Sequence, residues 1–249
     1  MSEAVRYDRV GPVAWITIDR PEARNAINAA VRDGLREATA RFNDDDAAVL
    51  VLTGSGDVAF CAGADLKEMS AMGLEVPPPD YVPVFGRTVR VDKPTIAAVN
   101  GVALAGGFLL AQMCDLCVAA DHARFAITEV KVGRGAPWAA PLPWLVPPRV
   151  AMELLVTGEP LTAQRAFEVG LVNRVVPMAG LHDAVQELAE GIAANAPLSV
   201  AAAKKTVYLS LQAPYEAADA IWEPVYKSED AQEGPRAFAE KRPPRWEGR

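Results

Sequence analysis

Thr95-Ile96-Ala97-Ala98-Val99-Asn100-Gly101-Val102-Ala103-Leu104-Ala105-Gly106-Gly107-Phe108-Leu109-Leu110-Ala111 places an apolar run of strand length, a glycine-bearing turn and a second apolar run in immediate succession. The first run stops at Asn100-Gly101, and the second reads as a buried helix. Ala47 to Leu52 repeats the theme and stops at Thr53-Gly54-Ser55-Gly56, while Leu116 to Ala120 is a third short buried strand. Upstream, Val5 to Asp19 reads as a hairpin turning at Gly11-Pro12. Asn28 is placed to cap a helix running to Phe42, with Ala30, Leu35, Ala38 and Phe42 as its apolar stripe. Short buried strands alternating with amphipathic helices predict an α/β core.

The pattern changes after Leu181. Helical spacing runs over 181–194, 198–211, 215–226 and 231–240, with no strand signal among them. The expected organisation is a core over 1–195 and a helical region over 196–249.

The chain has 249 residues, enough for a large core, and a formal net charge of −7. An acidic chain is poorly suited to sequence-independent nucleic-acid binding, which needs a basic face to displace counterions. The most apolar stretch, Thr95 to Met113, is broken by Asn100, Gly101 and Gln112, so no membrane span is expected. The N-terminus, Met1-Ser2-Glu3-Ala4-Val5-Arg6, lacks an apolar signal core, and the expected compartment is the cytoplasm. Cys61, Cys114 and Cys117 cannot build a disulfide framework. The Cys114–Cys117 pair lacks the two further ligands of a structural zinc site, so no metal is expected. Gly54-Ser55-Gly56 lacks the third glycine of a dinucleotide fingerprint, and no phosphate loop of the G-x-x-x-x-G-K-[ST] kind occurs.

Two loops remain as candidates for chemistry. Ala59-Phe60-Cys61-Ala62-Gly63-Ala64-Asp65-Leu66-Lys67-Glu68-Met69 follows a buried strand and opens a short helix. The loop from Asn100 to Ala111 does the same. Small residues let a backbone approach a ligand, and a helix start presents free N–H groups. Two such turns side by side would each give one N–H to a developing oxyanion. From composition alone, tight turns are the favoured reading of their glycines.

Together with their flanks, these loops resemble the crotonase (enoyl-CoA hydratase/isomerase) superfamily. Arg20-Pro21-Glu22-Ala23-Arg24-Asn25-Ala26-Ile27-Asn28 is similar to its N-terminal signature, the first loop to its A-G-A-D-[LI]-K-E-M motif, and Ala105-Gly106-Gly107 to its second loop. Ser228 to Gly234 and Ala237 to Arg242 resemble its C-terminal tail. The resemblance implies a spiral of β-β-α units, a helical C-terminal trimerisation region and assembly as a homotrimer or dimer of trimers. It implies an acyl-CoA thioester as ligand, with coenzyme A part of the substrate and no separate cofactor. The Ala64 and Gly106 N–H groups would hold the thioester oxygen. Ala62, Gly63, Asp65 and Leu66 would form the surrounding cradle. Arg24, Lys67 and Lys241, or the basic pair Arg242 and Arg245, would meet the charges of CoA.

Family hydratases carry two catalytic glutamates. Glu129 matches one, and Leu109 stands where the other would be. Trp138 occupies a segment, Gly135 to Pro141, where hydratases have a glycine-rich turn, and is expected to reshape the acyl pocket. One carboxylate suffices to move a proton between carbons, whereas adding water is served better by two. The expected reaction is therefore the shift of a 3-enoyl-CoA to a 2-enoyl-CoA, with Glu129 as sole acid/base. The alternatives are an enoyl-CoA hydratase with altered activity and a non-catalytic acyl-CoA-binding protein.

Overall fold

The computed structural model describes residues 4–73, 76–208, 223 and 225–245. Its strands are β1 (Val5–Val10), β2 (Val13–Ile18), β3 (Val49–Gly54), β4 (Ala59–Cys61), β5 (Thr95–Val99), β6 (Val102–Leu104), β7 (Leu116–Ala120), β8 (Arg124–Ala126), β9 (Leu161–Thr162) and β10 (Arg174–Val176). The helices that bear on the site are α1 (Ala29–Asp44), α2 (Leu66–Met72) and α3 (Gly106–Gln112). After them come α4 (Leu142–Leu145), α5 (Pro148–Thr157), α6 (Ala163–Glu168), α7 (Leu181–Ala193), α8 (Pro197–Tyr208) and α9 (Glu229–Ala239).

The strands divide between two sheets, ordered β1-β2-β3-β5-β7-β10 and β4-β6-β8-β9. Only the β1/β2 and β8/β9 pairs are antiparallel. Chain order alternates between the sheets: β3 then β4 then α2, β5 then β6 then α3. Each turn from sheet to helix therefore falls at the same end of its unit, which stacks the two glycine-bearing loops.

The central strands are buried on both faces, as parallel sheets covered on each side must be. Ile16, Leu50, Ala97 and Ala119 enter the main core with α1 and α3. Their sequence neighbours Trp15, Val51, Ile96 and Val118 join Leu181, Val185 and Ala189 of α7 in a second core. This explains why these strands read as continuous apolar runs rather than as alternation. The hairpin turns at Gly11, whose φ of +58° suits glycine. Asn28 caps α1 by accepting the Val31 N–H at 3.0 Å.

Several expectations need correction. The two candidate loops each contain a three-residue strand, β4 and β6, too short to show a period of two. Strand β10 gave no signal in the sequence. The helix expected over 198–211 runs from Pro197 to Tyr208, and its last residues lie outside the described ones. The helix expected over 215–226 falls mostly outside them too. Helix α9 packs against α2 and against the 3₁₀ turn Thr128–Val132 of its own chain. Among the described residues no helix is long and apolar enough to cross a membrane.

Candidate active site

Arg24 takes a left-handed backbone conformation, φ +51°, and its carbonyl accepts the Ala62 N–H at 3.0 Å. Ile27 N–H donates to the Gly63 carbonyl at 2.8 Å, and Asp65 N–H to the Ile27 carbonyl at 2.9 Å. The segment 24–27 thus pins the first loop from Ala62 to Asp65. Asp65 caps α2, accepting from the Lys67 and Glu68 N–H groups at 3.2 and 3.4 Å. Its other oxygen pairs with Arg20 at 3.3 Å. Asp65 therefore holds the loop in shape. Leu66 is half-buried at the start of α2, while Arg24 and Lys67 are exposed at its edges.

The second loop packs directly on the first. Gly63 has φ +95°, and a Cβ there would stand 2.9 Å from Ala105 Cβ and 3.4 Å from Gly106 N. A Cβ on Gly106 would stand 3.7 Å from Ala64 N. The Ala64 and Gly106 amides are therefore neighbours. No described residue accepts either N–H, and Gly106 opens α3, where helix N–H groups have no partner inside the helix. A Cβ on Gly107 would collide with the Cys61 carbonyl, so only glycine permits this approach. Ala105, immediately before Gly106, sits at φ +51° and ψ −121°, a conformation that glycine adopts freely and alanine does not. Its N–H is held by the Ala126 carbonyl at 2.9 Å.

Ala126 leads, three residues on, to Glu129. Glu129 lies on the 3₁₀ turn Thr128–Val132 and is 8% exposed. Trp138 Nε1–H donates to Glu129 Oε1 at 2.9 Å. Oε2 is buried and has no hydrogen-bond partner among the described residues. Burial pushes the carboxyl up from its ordinary 4.5 to about 7, against the smaller opposing pull of its own backbone N–H and of Trp138. Leu109, one turn into α3, is buried in the same apolar core as Trp138. Phe108 packs edge-on to Trp138, ring centroids 5.8 Å apart. The site therefore offers two adjacent unengaged amides and one interior acid that changes charge near neutrality.

Sequence reasoning expected Ala64, Gly106, Leu109 and Glu129 to share one neighbourhood; the structure sets the Ala64 and Gly106 amides side by side and joins Glu129 to Trp138, which packs on Phe108 beside Leu109 in α3. It missed the partnership of Trp138 with Glu129, since nothing in a sequence reports which way an indole N–H points. It missed Arg20, Asn25 and Asn100 as organisers. Asn25 Nδ2–H donates to the Ala59 carbonyl at 2.7 Å, and Asn100 Nδ2–H to the Gly56 carbonyl at 2.8 Å. Their signal was an Asn beside each turn. Lys241 is exposed just past α9. Arg242 is tied to Glu233 at 2.5 and 3.0 Å, which removes it as a free charge for a ligand phosphate. Cys61, Cys114 and Cys117 are buried, and burial raises all three thiols, Cys61 and Cys117 to about 12.

Two sheets, paired turn amides and one interior carboxyl make this a mixed α/β protein of the crotonase class. The sequence profile of the family described as Enoyl-CoA hydratase/isomerase matches residues 8–249. A carnitinyl-CoA dehydratase of Citrobacter koseri is 42% identical, with both chains covered completely. The crystal structure of a carnitinyl-CoA hydratase from Mycobacterium avium superposes with a TM-score of 0.88 at 42% identity, and the solved structure of EchA1_1 from Mycobacterium paratuberculosis with 0.89 at 42%, each over the whole of both chains. The chain belongs to the enoyl-CoA hydratase/isomerase family.

Proposed function

We propose that this chain adds water to, and eliminates it from, the acyl chain of a CoA thioester, with Glu129 as the single acid/base. The observation that carries the reading is the Glu129 carboxyl: interior, half-engaged through Oε1, free at Oε2 and poised near 7. The full-length similarity to proteins named as dehydratases and hydratases favours water chemistry over the double-bond shift expected from the sequence.

In the elimination direction, the Ala64 and Gly106 N–H groups polarise the thioester carbonyl, which acidifies the α-carbon. Carboxylate Oε2 takes the α-proton, and the electron pair is held as an enolate between the two amides. The carboxylic acid so formed returns that proton to the β-hydroxyl. The Cβ–O bond breaks, water leaves, the α,β double bond forms and Glu129 is again a carboxylate. Hydration is the reverse. One group serves twice because its two protonation states are nearly balanced at neutral pH.

Arg24, Lys67 and Lys241 supply positive charge for CoA, which joins the site as part of the substrate; no separate cofactor takes part. The alternating two-sheet units form the spiral of the class. The region 196–249 contributes to a homotrimer or dimer of trimers. Helix α8 supports this assembly, since it has no buried residue and exposes Leu198 and Val207.

The test is an absorbance assay of the conjugated thioester. Absorbance is expected to fall when a 2-enoyl-CoA is added. A rise with a 3-enoyl-CoA and no fall with the 2-enoyl-CoA returns the reaction to a double-bond shift. No change with either, alongside thermal stabilisation by both esters, makes the chain a binder.

A further inference from the structure

We infer that Trp138 is the positioning residue of the acid: its indole N–H fixes Glu129 Oε1, leaves Oε2 as the one oxygen that transfers protons, and ties the carboxyl to the helix that carries the Gly106 amide. The inference deepens the hydration reading and rests on it for its effect on turnover.

Three contacts carry it. The first is the 2.9 Å bond from Nε1 to Oε1, made in the interior, where a buried indole N–H needs an acceptor and a buried carboxyl needs a donor. Among the described residues this is the only side chain that donates to Glu129. The second is the bond from Gln112 Nε2–H to the Trp138 carbonyl at 3.0 Å. The third is the edge-on packing of Phe108 against the indole at 5.8 Å, with Phe125 closing the cluster at 5.7 Å from Phe108. Phe108 and Gln112 both belong to α3, which Gly106 begins. Helix α3 thus presents one oxyanion donor at its first residue and, through Phe108 and Gln112, sets the ring that sets the acid. Without this anchor the carboxyl keeps no side-chain donor among the described residues, only the pull of its own backbone N–H, and is less constrained about its last torsion. With it, the distance between the proton-transferring oxygen and the amide pair is set by rigid packing, which suits a site that must use one group for two proton transfers.

The position also removes a constraint that Leu109 would otherwise impose. Leu109 can neither donate nor accept, so α3 has no polar side chain of its own at that place for Glu129. The indole comes to the acid from the segment beyond it in sequence, and supplies the neutral donor that stabilises the carboxylate form without adding charge.

The experiment replaces Trp138 in two ways: Trp138→Phe, and an incorporated benzothienyl analogue of tryptophan that keeps the ring shape but carries sulfur in place of N–H. The Glu129 carboxyl is titrated by infrared difference spectroscopy against Glu129→Gln, and hydration of a 2-enoyl-CoA is followed across pH. Both replacements are expected to raise the midpoint of the carboxyl by about one pH unit, because the lost donor favoured the carboxylate. The acidic limb of kcat/KM moves up with it, and kcat falls about tenfold with KM within about twofold. Gln112→Ala is expected to give a smaller fall in kcat. An unchanged carboxyl midpoint in the sulfur analogue, where packing is intact, overturns the inference even if wild-type hydration is robust. A shifted midpoint in a protein that hydrates nothing upholds the positioning and overturns the hydration reading instead.

Discussion

At the scale of single residues, the proposed chemistry rests on Glu129, with Leu109 at the position where the resemblance to family hydratases implies a second carboxyl. Glu129→Gln keeps a group of the same shape and still accepts from Trp138. It is expected to lower kcat by about 10²–10⁴-fold while leaving the affinity for a CoA ester within a fewfold, measured by calorimetry with a saturated acyl-CoA. Leu109→Glu is the complementary change. A second buried carboxyl is expected to raise the hydration rate, because water then has its own acceptor, and to lower the melting temperature, because another acid must be accommodated in an apolar place. A variant that folds and hydrates no faster would show that the number of carboxyls is not what limits the wild type.

At the scale of elements, the decisive contact is loop on loop. Gly107 abuts the Cys61 carbonyl so closely that a methyl group has no room. Gly107→Ala is expected to cost about 3 kcal/mol and to abolish turnover, since the displaced element is the one that bears the Gly106 amide. Gly191 offers the control. It lies in α7, and a Cβ there would meet nothing within 4 Å. Gly191→Ala is expected to stabilise by about 0.5–1 kcal/mol with activity unchanged, read from paired denaturant melts and initial rates. The strands β3, β5 and β7 were legible because each is an apolar run bounded by turn residues. The second sheet was not, because β4, β6 and β8 have three residues each and their pairing is decided by where the longer strands deliver them. Helices α1 and α7 were legible from their stripes and from the Asn28 cap.

At the scale of the whole molecule, one buried acid couples function to stability. The folded carboxyl titrates near 7 and the unfolded one near 4.5, so the folded state holds the extra proton between those values. The protonated acid's contribution is fully present below about 4.5 and is lost as pH rises through about 7. The stability of the wild type, compared with Glu129→Gln, is therefore expected to decline by about 3 kcal/mol from pH 4 to pH 8 and then level off. Urea melts of both proteins over that range measure it. The candidate site was readable in part for the same reason. Ala64, Gly106 and Glu129 follow from motif and position, whereas the Trp138 bond, the Arg20–Asp65 brace and the neutralised Arg242 depend on how distant segments meet.

Ala105 carries a longer consequence. Its backbone is fixed where a side chain is unwelcome, at a cost of about 1–3 kcal/mol, one residue before the amide of Gly106. A glycine there would sit more comfortably, yet it would also leave this turn freer to move. The methyl group shifts the expense of immobilisation from each catalytic cycle to the single act of folding. On the proposed function, the thioester then meets an amide already aimed, much as a key meets a lock whose spring was wound at the factory.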